Sequence, residues 1–219
     1  RTLTLFPYTT LFRSLDCYKK WKGGENLAEI TYQDCVKFVT SQKGVHYNKA
    51  LTVLKLTTKV IQDHVKKGGC IQIPGLFTIQ YRIKDVYIYE NEWLTLDSLS
   101  RRVAEQTTYS EIDVFTMIDL YFRYLHDSVE NGYKVTVKGI GSVEPFTEED
   151  SIYLEGKISP CLKKPNDVDF LVIDKKDNIV LQQFTKKQLK FTFALDAKLK
   201  VPTNLNKERK PLVFVGDLV

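Results

Sequence analysis

Three histidines, four cysteines and one Gly-x-Gly pair are the residues of this chain whose types could do chemistry. His46, His64 and His126 have no HExxH or triad context, and a catalytic histidine needs such partners. The cysteines, at positions 17, 35, 70 and 161, lack the CxxC spacing of a metal site. The Gly-x-Gly at residues 139–141 lacks the third glycine of a dinucleotide-binding loop. The sequence therefore predicts a binding protein with no enzymatic activity, no metal site and no cofactor.

Four cations are the best-placed contacts for an acidic partner, namely Lys66, Lys67, Arg82 and Lys84. Their chemistry would be sequence-independent contact with the phosphates of double-stranded DNA, each cation steepening the salt dependence by about one unit. The alternative is a solvated surface, with the two lysines favourably placed at a helix C-terminus. Three of the four lie in residues 30–82, which carry a net charge of +6, whereas residues 94–146 carry a net charge of −3. Lys84 follows directly after the basic stretch.

These residues sit on a repeated unit. Ile30–Arg82 and Leu94–Phe146 align at a constant offset of 64 residues without a gap, so that Thr31 meets Thr95 and Gly68 meets Gly132. Self-similarity at a fixed offset is the sign of an internal duplication. Any function of the chain therefore depends on what this unit is.

Each copy of the unit predicts a short helix, a long helix and a β-hairpin. Cys35 and Val39 mark the first short helix, and Leu99 and Val103 mark the second. The long helices show one apolar face at spacings of three and four residues. Ser110 is the expected N-cap of the second long helix. The predicted faces consist of Ala50, Leu54, Thr57, Ile61 and Val65 in the first copy and of Val114, Ile118, Tyr121, Leu125 and Val129 in the second.

Five glycines mark the turns of the two copies. Gly68 and Gly132 follow the long helices, where glycine tolerates the left-handed conformation that ends a helix. Gly75 in the first copy, and Gly139 with Gly141 in the second, predict a tight turn between two strands. Histidines 64 and 126 are expected near the surface-facing ends of the long helices.

The remaining third of the chain predicts more β-structure. Val168–Ile173 and Ile179–Gln183 flank a turn signal and predict a hairpin, and Leu189–Leu195 alternates as a further strand. The economical interpretation is a small β-module appended to the repeats. Leu212–Val215 predicts a last apolar strand, which could complete the sheet of a neighbouring subunit or pack on its own domain.

The helical hairpin that ends in glycine, followed by a strand and a Gly-x-Gly turn, resembles the HU and integration host factor (IHF) family. Residues 139–143 (Gly-Ile-Gly-Ser-Val) are the closer match, whereas Phe77 replaces the second glycine in the first copy. The resemblance implies an α+β fold of two tandem HU/IHF-like units that form a possible pseudo-dimer, plus a small C-terminal β-module. The predicted boundaries are 15–93 for the first repeat with its linker, 94–146 for the second repeat, and 147–219 for the β-module.

Two functions follow from this resemblance. The first is a DNA-associated architectural protein of the nucleoid with weak contacts to double-stranded DNA. The long basic β-arms that the family inserts into the minor groove are missing here, since residues 80–89 are lightly charged and residues 144–150 are acidic. The second is therefore an arm-less virion subunit that binds other virion subunits, similar to IHF-like proteins of crAss-like phages and assembled in the bacterial cytoplasm. Both functions fit self-association.

Three further expectations come from composition. Arg1–Ser14 resembles a translated sequencing-adapter read-through, the alternative being an ordinary N-terminal strand. The widely spaced cysteines suggest reduced thiols of an intracellular protein. No run of apolar residues approaches the roughly 20 that span a membrane, so no membrane partner is expected.

Overall fold

A computed structural model describes residues 29–89, 92–148 and 151–195. The described residues form four helices and ten strands, so the expected α+β class is confirmed. Residues 1–14 and the predicted strand Leu212–Val215 lie outside the described residues. The elements are β1 Glu29–Ile30, α1 Tyr32–Lys43, α2 Tyr47–Lys66, β2 Cys70–Ile73, β3 Phe77–Ile83, β4 Trp93–Leu94, α3 Leu96–Ala104, α4 Glu111–Glu130, β5 Lys134–Val137, β6 Gly141–Glu148, β7 Ser151–Ile158, β8 Val168–Ile173, β9 Ile179–Phe184 and β10 Leu189–Leu195.

The order strand, helix, helix, hairpin occurs twice, first as β1 to β3 and then as β4 to β6. The two long helices, α2 and α4, each have 20 residues and begin 64 positions apart. Every residue of the two predicted apolar faces is buried. The predicted helices are thus confirmed, because burial of one continuous apolar face fixes both the position and the rotation of an amphipathic helix.

Side-chain caps start three of the four described helices. The Ser110 hydroxyl accepts the Asp113 N–H, as predicted. Thr31 and Thr95, at equivalent positions of the two repeats, each begin a short helix through a reciprocal capping box. These hydroxyls satisfy backbone N–H groups that have no partner inside the helix.

The predicted glycine turns are present. Gly68 and Gly132 have φ angles of 86° and 79°, and Gly75 and Gly139 both have φ of 72°. Gly141 is required for a different reason, because a Cβ placed there would lie 2.7 Å from the Lys157 carbonyl oxygen of β7. A close approach of two backbones, rather than a left-handed turn, therefore selects glycine at this position.

The two repeats exchange their first strands. The described strands form a four-stranded sheet in the order β10-β3-β2-β4 and another in the order β1-β5-β6-β7. β1 precedes the first repeat's helices but pairs in parallel with β5 of the second repeat. In the same way β4 precedes the second repeat's helices and pairs in parallel with β2 of the first. Each hairpin is therefore extended by a strand of the other repeat.

A third antiparallel strand completes each hairpin, and the two arise from different parts of the chain. β7 follows β6 directly and pairs with it along its whole length. The strand predicted at Leu189–Leu195 is confirmed as β10, but its partner is β3, in a register from Leu189 opposite Ile83 to Leu195 opposite Phe77. Residues beyond 147 thus build the sheets of both repeats.

The predicted hairpin is confirmed as β8 and β9. Its turn is held by the Asp174 carboxylate, which accepts the N–H groups of Lys176 and Asn178. Val168, Phe170, Val172 and Phe184 form a small second core on the inner face of this hairpin. Residues 86–89, within the predicted linker, lie along β8, where the Tyr89 N–H donates to the Leu171 carbonyl at 2.8 Å. The linker is therefore partly a short extended segment of this sheet.

Among the helices that the structure describes, none is long and apolar enough to cross a membrane.

Candidate nucleic-acid interface

The outer face of the first four-stranded sheet carries one of the predicted cations. Alternation along β3 buries Phe77, Ile79 and Tyr81 and turns Gln80 and Arg82 to the other face. Arg82 is exposed and lies opposite Lys190 in the register of β3 and β10. Side chains of register partners project on the same face, so the two cations lie side by side.

A neighbouring amide orients the Arg82 guanidinium. With its amide oxygen turned toward Arg82, Gln80 accepts N–H groups from Nε at 3.1 Å and from Nη2 at 2.8 Å. A guanidinium has five N–H donors in a planar fork, so donors remain for an external acceptor. Cys70 lies next to this pair, and burial raises the pKa of its thiol to about 11 although the Arg82 charge acts in the opposite direction. The thiol is therefore neutral at pH 7.

Lys84 follows the last residue of β3, two positions after Arg82. Its ammonium lies 3.9 Å from the Asp85 carboxylate, with side-chain exposures of 87% and 83%. Ion pairs this exposed gain little from their mutual attraction, because water screens both charges. Lys84 is consequently available to another anion.

Lys66 and Lys67 lie at the end of α2 rather than on the sheet. Lys67 lines a surface pocket of about 610 Å³ together with several carboxylates, namely Asp63, Glu92, Glu105 and Asp169. These carboxylates reduce the attraction of Lys67 for a polyanion. The structure therefore separates the four predicted cations into Arg82 on β3 with Lys84 directly after it, and two lysines at a helix end beside acidic groups.

The prediction for His64 was wrong, because this residue is buried with only 5% of its surface exposed. Its Nε2 lies 3.2 Å from the Cys70 carbonyl and 3.0 Å from the Glu92 carbonyl, so this nitrogen carries the proton and donates. Its Nδ1 accepts from Arg102 at 3.2 Å. Burial, then the Arg102 charge, lowers the pKa of His64. The chain segments that enter β2 and β4 cover this end of the helix.

No comparable cationic face occurs among the described side chains of the second four-stranded sheet. Glu144 on β6 lies 2.9 Å from the Lys157 ammonium and 3.5 Å from that of Lys134. The hydrogen bond from Lys157 is the main cause that holds the pKa of Glu144 below its usual value. Because both lysines already face a carboxylate, this sheet offers a phosphate less net attraction than the first.

One group of possible metal ligands occurs among the residues that the structure describes. Single ligand atoms of His126, Asp127 and Glu130 lie within 4.8 Å of one another. His126 forms contacts of 3.4 Å with Asp127 and 3.6 Å with Glu130, which are ordinary surface ion-pair geometries if the imidazole is protonated. The three side chains are partly or fully exposed. They have the character of a solvated acidic surface around one histidine.

Sequence analysis missed Lys190 as a candidate contact. The alternating pattern of residues 189–195 placed Lys190 on a strand. Its position beside Arg82, however, depends on the pairing of β10 with β3, which is about 100 residues away in the chain. Local periodicity carries no information on such long-range partners. The only available signal was that an alternating strand with a basic residue remained without an assigned partner.

No family model and no curated protein matches this chain.

Proposed function

We propose that the chain is an HU/IHF-like protein whose two tandem units form a pseudo-dimer within one polypeptide. The reciprocal pairing of β1 with β5 and of β4 with β2 supports this proposal. A two-fold interface places the same contacts twice, once from each partner. Strand exchange of this kind is the intramolecular form of an intertwined dimer.

Side-chain contacts between the repeats follow the same rule. The Gln62 amide donates to the Gly139 carbonyl at 2.8 Å. The equivalent positions, 64 residues away in each case, are His126 and Gly75, and an added Cβ on Gly75 would overlap the His126 ring. The end of each long helix thus packs on the hairpin turn of the other repeat, which further supports the pseudo-dimer.

For this pseudo-dimer, the proposed function is non-catalytic, architectural binding of double-stranded DNA without sequence preference. The observation that supports it is the group of three exposed cations formed by Arg82 and Lys190 on one sheet face and Lys84 directly after β3. Neither Arg82 nor Lys190 has an ion-pair partner among the residues described. Contacts with phosphates position a protein on DNA but do not distinguish between bases. Three cations can make such phosphate contacts without any element that enters a groove.

The proposal is tested by titrating a fluorescent DNA duplex with the full chain at several salt concentrations. A triple variant, Arg82→Gln/Lys84→Gln/Lys190→Gln, is expected to reduce the salt slope by about three units, since each lost phosphate contact removes about one. The matched control is Lys134→Gln/Lys157→Gln on the second sheet, which is expected to bind like the parent. Equal loss in both variants, or no binding by the parent at low salt, would contradict the proposal.

A second candidate function is an arm-less structural subunit, as in a virion, that binds other subunits instead of DNA. The observation that favours it is the exposed apolar surface on β8 and β9, where Leu181 is 70% exposed. Exposed apolar clusters are typical of protein-protein contacts. This function predicts a discrete oligomer by analytical ultracentrifugation, and removal of residues 203–219 should leave the repeats folded but unassembled.

A further inference from the structure

The hairpin of β8 and β9 presents an apolar outer face. Alternation turns Leu171, Ile179 and Leu181 away from the small second core, and Leu171 and Leu181 are directly opposite each other in the register. Tyr87 and Tyr89 lie beside β8, 68% and 49% exposed. We call these five residues the β8–β9 face. Apolar side chains grouped in this way are unusual on a solvated surface.

The outer edge of β9 is open to another strand. Leu171 and Ile173 direct their backbone groups toward Tyr89 and Tyr87, away from β9. Along an antiparallel strand the backbone N–H and C=O groups of successive residues point alternately to the two sides. The backbone groups of residues 180, 182 and 184 therefore bond to β8, and those of residues 179, 181 and 183 point away from it. β9 has no second neighbour in the described part of the sheet.

Nothing in β9 protects this edge. Its sequence, Ile-Val-Leu-Gln-Gln-Phe, has no charged residue and no proline. Charged side chains, prolines and bulges are the usual means by which edge strands avoid pairing with other chains. An edge without them, beside an apolar face, fits addition of a strand by a partner.

The charge of this region disfavours a second β9 as the partner. Antiparallel pairing of two β9 edges centred on Leu181 would bring Lys175 and Lys176 of each copy close to Lys186 and Lys187 of the other. Like charges in such positions are destabilising.

A segment with the length and composition of a β-strand exists in this chain beyond the described residues. Leu212-Val213-Phe214-Val215 is apolar and rich in strand-forming residues, and it follows Pro211. β10 starts at Leu189 beside the second core and ends at Leu195 opposite Phe77, about 20 Å away at 3.3 Å per residue. The chain thus leaves β10 about 20 Å from the second core, so residues 196–211 would have to reverse direction to bring this segment to the β9 edge of its own copy.

From these observations we infer that residues 212–215 of one copy add a strand to the β9 edge of a second copy. Each copy would then offer one segment and one edge. Such a contact is heterologous and joins copies head to tail, into a ring if the rotation closes. The inference deepens the structural-subunit function, on which it rests, by naming the two surfaces in contact.

The test compares substitutions at Leu181 in the full chain. Leu181→Pro removes an N–H that points outward, so the β8–β9 ladder keeps its bonds, whereas an added strand loses a partner. Leu181→Ser is the matched control, because it shortens the side chain but retains the N–H. Sedimentation is expected to show concentration-dependent assembly of the parent, reduced assembly of the serine variant and a monomeric proline variant.

A mixing experiment identifies the donor. The variant Val213→Asp/Val215→Asp retains the β9 edge and should be monomeric alone, as should Leu181→Pro, which retains the segment. Mixed together, the two variants are expected to form a 1:1 complex, because each supplies what the other lacks. The proposed contact between copies is wrong if the two variants form no complex on mixing. It is also wrong if the residue 181 amide is protected from hydrogen exchange in a monomer.

The outcomes separate this contact from the wider function. If the parent assembles and Leu181→Pro assembles equally well, the structural-subunit function stands and the β9 contact is wrong. If the parent is monomeric at every concentration, both are wrong.

Discussion

The Lys49 ammonium lies 3.1 Å from the Asp113 carboxylate, and these two residues occupy the same position in the two repeats, 64 residues apart. A contact between equivalent positions is what a two-fold axis between the repeats produces. The two repeats are also unequal on this axis, since one supplies the cation and the other the anion. A symmetric homodimer would place two like charges there, so the single chain allows an attraction that identical subunits could not have.

The Lys49–Asp113 pair predicts an acid-dependent contribution to stability. Hydrogen bonds from Lys49, then Lys43, lower the pKa of Asp113 below its usual value. A carboxyl group with a lowered pKa stabilises the fold above its unfolded pKa of about 4, and this contribution is lost as the pH falls through the folded value. The parent is therefore expected to melt above Asp113→Asn at pH 7 and to match it near pH 2. A constant difference in thermal melting at all pH values would contradict the ion-pair explanation.

His64 predicts a second, distinct pH effect. Burial lowers its pKa, so the unfolded chain binds a proton more readily than the folded chain does. Its contribution to stability is complete above the unfolded pKa of about 6.5 and is lost as the pH falls through the folded value. Urea unfolding should show a free energy that decreases between pH 7.5 and 5.5 in the parent and less so in His64→Gln. An NMR titration of the imidazole provides the direct check.

Gly139 and Gly44 separate two reasons for needing glycine. Both have a positive φ, of 72° and 65°, but an added Cβ would overlap the Gln62 amide only at position 139, while position 44 has open space around it. Gly44→Ala is expected to cost about 1 kcal/mol through the backbone alone. Gly139→Ala should cost about 2–3 kcal/mol because the contact between the repeats is disturbed as well. Equal losses in urea unfolding would show that this contact contributes nothing.

The four predicted cations should contribute unequally to DNA binding. Arg82 on the sheet face and Lys84 directly after β3 are exposed, whereas Lys67 lines a pocket with carboxylates. Arg82→Gln/Lys84→Gln is therefore expected to lower the salt slope by about two units, and Lys66→Gln/Lys67→Gln by less than one. The same duplex titration measures both. A larger decrease in the salt slope for the Lys66/Lys67 variant would instead place the DNA at the end of α2 and not on the sheet.

The thiols predict selective modification. Burial raises the pKa of Cys35 to about 12 and that of Cys70 to about 11, whereas Cys161 is exposed. Because the thiolate is the reactive form, the two buried cysteines should react at least 100-fold more slowly. In a Cys17→Ser background, a colourimetric thiol reagent should modify one cysteine rapidly and two only on unfolding. Rapid modification of a second thiol would indicate local opening of a repeat.

The helices and turns could be predicted because their signals are local. One apolar stripe appears in both long helices, and glycines recur at the same offset after each of them. The pairing of β1 with β5 could not be predicted, since a two-residue strand such as Glu29–Ile30 has no measurable periodicity and its partner is more than 100 residues away. Burial of His64 likewise depends on the Glu92 carbonyl, which reaches it from a distant segment. Arg82 was found by its charge alone, and Lys190 was missed for lack of a known partner strand.

β10 completes the sheet of the first repeat although more than 100 residues separate it from β3. During synthesis the first repeat emerges early, but its four-stranded sheet lacks β10 until Leu195 has left the ribosome. Contacts between distant residues form slowly, because a long loop must close before they are gained. The first half of this protein therefore cannot complete its sheet on its own, and the described fold is complete only after its last strand has been made.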